Sequence, residues 1–123
     1  MQFCKPDSGV YNQFHFSEIR DSHVVLASDG IWDNLFPHEI HQVIKESSSL
    51  KYKENIEPVS QVSLHYAVDR LMEMTRSKYV IQNYESPFYI KGRDVGLNVG
   101  KFAKVDDLSL IVAKVVERTV NDN

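Results

Sequence analysis

The chain has 123 residues, 42% of them apolar and 25% charged, with a formal net charge of -3 at pH 7. This is the composition of one soluble globular domain, or a piece of one, and it excludes a disordered chain. The slight acidity gives no electrostatic reason to expect nucleic acid or an anionic membrane as partner. Met1 to Asp7 lacks a basic segment followed by an apolar one and is not Arg-rich, so it reads as neither signal nor transit peptide. The single cysteine, Cys4, excludes an internal disulfide and fits a reducing, intracellular compartment. No apolar run approaches the ~20 residues that span a bilayer.

Pro6, Asp7, Ser8 and Gly9 mark a turn, and Phe14 and Phe16 alternate with polar residues as in a short strand. Asp21 and Ser22 read as another turn. His23 to Ser28 (HVVLAS) is a strand-type run ended by Asp29-Gly30. Its apolar residues do not alternate with polar ones, which predicts burial on both faces. Pro37 suits the first turn of a helix, and Ile40, Val43 and Ile44 follow at helical spacing, giving a helix near 37–46. Ser47, Ser48 and Ser49 are expected to loosen into a polar loop. Lys51, Lys53 and Glu54 form a solvated charged stretch.

A second helix is expected from Pro58 or Ser60 to near Tyr79. Leu64, Val68, Leu71, Met72 and Thr75 share one face, with Asp69, Glu73 and Arg76 opposite. Met72, but not Met74, falls on the core side. Residues 82–105 read as a long loop with Pro87, Gly92, Gly96 and Gly100, a length that is often functional. Leu108 to Val116 (LSLIVAKVV) is a second strong strand. Two buried strands and two helices call for a wider sheet than the obvious strands supply.

Asp29 ends the first strong strand, and Asp106 and Asp107 precede the last one. If the two strands are antiparallel neighbours, these carboxylates share one sheet edge. There they need a compensating charge, which a hard cation with a preference for oxygen ligands supplies. Taken alone, Asp-Gly is more often only a turn, and Asp-Asp more often a solvated loop. His38 and His41 lie three apart on one helix without a Cys or carboxylate at ligand spacing and read as surface residues.

Residues 24–35, VVLASDGIWDNL, resemble a motif of the PPM, or protein phosphatase 2C, family. In it a strand ends in Ser-Asp-Gly, followed by an aliphatic residue, Trp, Asp and often Asn. Residues 106–113, DDLSLIVA, resemble that family's final motif, and the order and intervening helices also match. YESPF at 84–88 and GLNVGK at 96–101 resemble a short branch with mitochondrial members. The resemblance covers most of residues 20–116.

It implies an α+β fold: part of an α-β-β-α sandwich, two antiparallel sheets flanked by helices, with residues 1–123 as the C-terminal portion of a single domain. It also implies a metal-dependent protein serine/threonine phosphatase. In the complete domain two Mg²⁺ or Mn²⁺ ions hold the water that attacks the phosphorus of a phosphoprotein substrate. By motif position Asp29 and Asp106 are terminal metal ligands, Asp107 supports them, and Gly30 lets the backbone turn beside the ligand. Trp32 reads as core packing with its N–H satisfied, and Asp33 as bonding local backbone. Ser109 reads as a packing or hydrogen-bonding residue rather than a nucleophile. A monomer in the cytoplasm or mitochondria is expected.

The family's bridging Asp-Gly, a further acidic ligand and a phosphate-holding arginine have no counterpart here. The chain is therefore expected to carry part of the site and to be inactive alone. A catalytically inactive regulatory or binding module of PPM type is the alternative. An unrelated α/β domain in which Asp29-Gly30 is only a turn is a third.

Overall fold

The computed structural model describes residues 22–49 and 63–117 in full, the backbone of 59–62, and two short strands, β1 (Gln2–Cys4) and β2 (Tyr11–Gln13), which pair antiparallel. The expected turn at 6–9, the strand at 14–17, Asp21 and the charged stretch at 51–54 lie outside the described residues.

β3 (His23–Ala27) pairs antiparallel with β4 (Leu110–Lys114), Val25 opposite Val112 and Ala27 opposite Leu110. These four pack in the core, while the alternate pair Leu26 and Ile111 is 60% and 62% exposed. The expectation of burial on both faces thus holds for one face only. With a side-chain period of two, the helices cover Val25 and Val112, and Leu26 and Ile111 necessarily point the other way. β4 is shorter than the apolar run 108–116 that announces it.

A single turn, α1 (Asp29–Trp32), follows β3 directly. Ser28 stands at its N-terminus with extended backbone, and its carbonyl accepts from Ile31 N at 3.0 Å. Trp32 Nε1 donates back to the Ala27 carbonyl at 2.9 Å, so the indole packs with its N–H satisfied, as expected.

α2 (Pro37–Ser48) starts where Pro37 predicts, with Glu39 accepting the Phe36 N–H at 2.9 Å. It runs on through Ser47 and Ser48, two of the three serines expected to form a loop, and Ser49 caps it. Ser47 and Ser48 hydroxyls both donate to the Ile44 carbonyl, at 2.7 and 2.9 Å. Serine does this in a helix at little cost, and Ser47 is buried.

α3 (Val59–Lys78) packs across α2 and β4. Ala67, Leu71 and Thr75 are fully buried, while Asp69, Glu73 and Arg76 are exposed, so the helical spacing places both faces correctly. Met74 joins Met72 against the core, which the sequence reading did not anticipate. Lys78 Nζ reaches Glu39 Oε2 at 2.6 Å and ties the end of α3 to the start of α2.

The stretch 82–105 is not all loop. It contains α4 (Pro87–Asp94), with Ser86 Oγ accepting the Tyr89 N–H at 3.1 Å and Pro87 in the first turn. Gly96, at φ 81°, ends it: Leu97 N donates to Gly92 O at 2.7 Å and Gly96 N to Arg93 O at 3.0 Å. That double bond pattern around a left-handed glycine is a Schellman stop. Both ends of α4 therefore carry ordinary helix signals, which the glycines inside and after it mask.

Ile31, Leu35, Val43, Ala67 and Leu71 form the dry centre, each no more than 1% exposed. Removing the Leu71 side chain leaves a cavity between α3 and its neighbours. Leu71→Ala is expected to lower stability by about 2–5 kcal/mol, read as a shift in urea midpoint at constant m-value.

Candidate metal-binding edge

Asp29 leaves β3 at its C-terminal end, and Asp106 approaches β4 at its N-terminal end. The antiparallel pairing brings both chain segments to one edge of the sheet, as the spacing anticipates. Ser28 locks one side of that edge. Its N–H donates to Ser109 O at 2.9 Å, its hydroxyl donates to Asp107 O at 3.0 Å, and the same oxygen accepts the Ser109 N–H at 3.0 Å. Ser109 thus meets Ser28 through its backbone.

Gly30 explains why the two segments can lie so close. A Cβ there would collide with the Asp107 carbonyl oxygen and fall 2.7 Å from Leu108 Cδ2. Glycine is needed here for close approach of backbone to backbone.

Asn34 locks the other side. It is fully buried, and its Nδ2 donates to Gly30 O at 2.8 Å and to Lys104 O at 2.7 Å, while its Oδ1 accepts the Lys104 N–H at 2.7 Å. The Lys104 N–H fixes which end of the amide is oxygen. Turning it over would face NH₂ against N–H and oxygen against two carbonyls.

Asp33, expected to bond local backbone through its side chain, instead directs Oδ2 at Lys104 Nζ, 3.5 Å away. Its local bonding comes from its backbone N–H, which donates to Asp29 O at 2.8 Å, and its carbonyl accepts from Phe88 N at 3.1 Å. The Tyr84 hydroxyl donates to Asn34 O at 2.7 Å. Residues 33 and 34 thus gather α1, the turn before α4, α4 itself and the approach to β4.

The carboxylates of Asp29, Asp106 and Asp107 are exposed. One oxygen of Asp106 accepts the Asp107 N–H at 2.8 Å. Asp29 and Asp33 also line a cavity of about 420 Å³ with Lys91, Lys104 and Phe88. Asp29 and Asp106 offer the hard oxygen donors that Mg²⁺ or Mn²⁺ favours. Among the described residues, no three His, Cys, Asp or Glu side chains gather closely enough to hold a metal ion. His38 and His41 are exposed, the former stacked on Phe36 at 5.6 Å. Ser28 and Asn34 both stand inside the SDGIWDN stretch without an expected role, because nothing local foretells a bond across some 70–80 residues. No sequence signal marks Lys104.

No family profile matches the chain. It is 29% identical over 93 residues to "Protein phosphatase PTC7 homolog fig" of Drosophila mojavensis, covering 75% of this chain and 27% of the relative. To "Probable protein phosphatase 2C 1" of Oryza sativa subsp. japonica it is 30% identical over 110 residues, covering 81% and 29%. The X-ray structure of the photosystem II phosphatase PBCP superposes with a TM-score of 0.60 at 26% identity, over 86% of this chain and 39% of that one. The likeness read from the two motifs is thereby shown: this α+β chain resembles part of a phosphatase domain of PPM, or protein phosphatase 2C, type. It spans little more than a quarter of the length of the curated relatives it matches.

Two tests follow from this packing. Gly30→Ala is expected to cost about 1–3 kcal/mol, since the methyl group must push the Asp107 segment away. Amide exchange at Ser109 should quicken with it. The Tyr84 phenol is pushed up to about 12, by burial first and then by the Glu39 carboxylate. Its folded value lies above the ordinary 10.0, so its contribution to stability is complete below pH 10 and is lost as the pH rises through about 12. Thermal unfolding of the wild type should therefore fall more steeply over that window than that of Tyr84→Phe.

Proposed function

We propose that this chain supplies the Asp29 and Asp106 carboxylates to a metal-dependent protein serine/threonine phosphatase domain of PPM type. The observation that carries the reading is the double tie, through Ser28 and Asn34, that holds the two aspartate-bearing segments at one sheet edge within a fold shared with such phosphatases. The chain would form the C-terminal portion of the domain and act on phosphoserine or phosphothreonine in proteins.

In this reading Asp29 and Asp106 would hold Mg²⁺ or Mn²⁺. When bound, the ions supply positive charge toward the phosphoryl oxygens and a lowered pKa for water. The protein's share is positional. The tied strand ends would hold the carboxylate-bearing segments in advance, and catalysis of phosphoryl transfer is chiefly positioning and charge stabilisation. Two carboxylates complete only part of an octahedral oxygen shell. The 123-residue chain alone is therefore expected to release no phosphate from a phosphopeptide.

The test is a chimera in which this chain replaces the matching segment of a 2C-type relative. Expected is Mn²⁺-dependent dephosphorylation of a phosphoserine peptide, reduced about 100-fold or more by Asp29→Asn or Asp106→Asn. A folded chimera that takes up Mn²⁺ but leaves the peptide phosphorylated would instead favour a non-catalytic binding module.

A further inference from the structure

We propose that Asn34 is a positioning residue for the metal-binding edge, setting the spacing between the Asp29 and Asp106 carboxylates; this rests on the phosphatase reading above. Its amide joins the carbonyl one residue after Asp29 to both backbone groups of the residue two before Asp106. The Asp33 carboxylate also reaches Lys104, but through the long lysine side chain and at 3.5 Å, whereas Asn34 bonds backbone on both segments. The Ser28 tie on the opposite side is exposed, where water competes for every bond. Asn34 itself is fully buried, its bond to Gly30 O is buried and its two bonds to Lys104 are part-buried, all three at 2.7–2.8 Å. A buried amide bonded through both its nitrogen and its oxygen has one favoured arrangement, so it acts as a spacer of fixed length. Tyr84 adds a bond to the Asn34 carbonyl and limits movement of the residue itself.

A purely structural asparagine would also destabilise the fold when replaced, so the test must separate stability from metal affinity. Asn34→Asp keeps the shape but sets a carboxylate against the Gly30 and Lys104 carbonyls. Mn²⁺ uptake by the chimera described above, followed by the EPR signal of the free ion, should weaken roughly 10–100-fold, as for other groups that orient metal ligands. Thr75→Val is the comparison. It removes a buried hydroxyl bond to Leu71 O of 2.8 Å within α3, and should lower stability while leaving Mn²⁺ affinity unchanged.

A second measurement needs no variant. If the spacer and the ion are coupled, Mg²⁺ should slow exchange of the wild-type Lys104 amide roughly 5-fold or more, and have no such effect in Asp106→Asn. A Lys104 amide indifferent to Mg²⁺ that does bind, or an affinity loss in Asn34→Asp no larger than in Thr75→Val, would overturn the proposal. Failure of the folded wild-type chimera to take up Mn²⁺ at all is distinct: it sinks the phosphatase reading, and this inference with it.

Discussion

The hydrogen-bonded closure between the end of β3 and the approach to β4 is the constraint on which the rest of the molecule turns. Two strands alone would make a marginal hairpin-like pair. Here the pair is extended past its ladder by Ser28 and Asn34, which bind backbone across 70 or more residues of sequence. The bonds are short, and Gly30 leaves room for them. On the covered face Val112 is buried in the core and Val25 packs against it, half-buried. The backbone on either side of both aspartates is thereby tied to the strand pair.

Much of this was legible because it rests on local patterns. The apolar run HVVLA and Pro37 each announce an element, and the helical spacing from Leu64 to Thr75 also matches its packing. The Asp29-Gly30 turn and the Asp106-Asp107 pair could be placed at a common edge once the strands were taken as antiparallel. The illegible parts depend on non-local bonding or on competing signals. α4 was obscured because Gly92 sits inside it, although its Ser86-Pro87 start and Gly96 stop are both ordinary. The serines after Ile44 read as loop residues, but their hydroxyls turn back onto the helix. Asp33 and Lys104 are 71 residues apart and no periodicity connects them.

The exposed Leu26 and Ile111 face bears on the architecture. An apolar run without alternation was expected to be covered on both sides, and only one side is covered by the described residues. A sandwich of two sheets, the architecture implied by the phosphatase resemblance, would use that face. This agrees with a chain whose match accounts for 39% of the structurally similar phosphatase. Among the described residues no helix is long and apolar enough to cross a membrane.

Crystals of the chain soaked in Mn²⁺ and measured at the manganese edge give the most direct test of whether the strand-end closure builds half of a metal centre. Expected is an anomalous peak within coordination distance of one oxygen from Asp29 and one from Asp106. A peak elsewhere, or one touching a single aspartate with the other turned away, would contradict it.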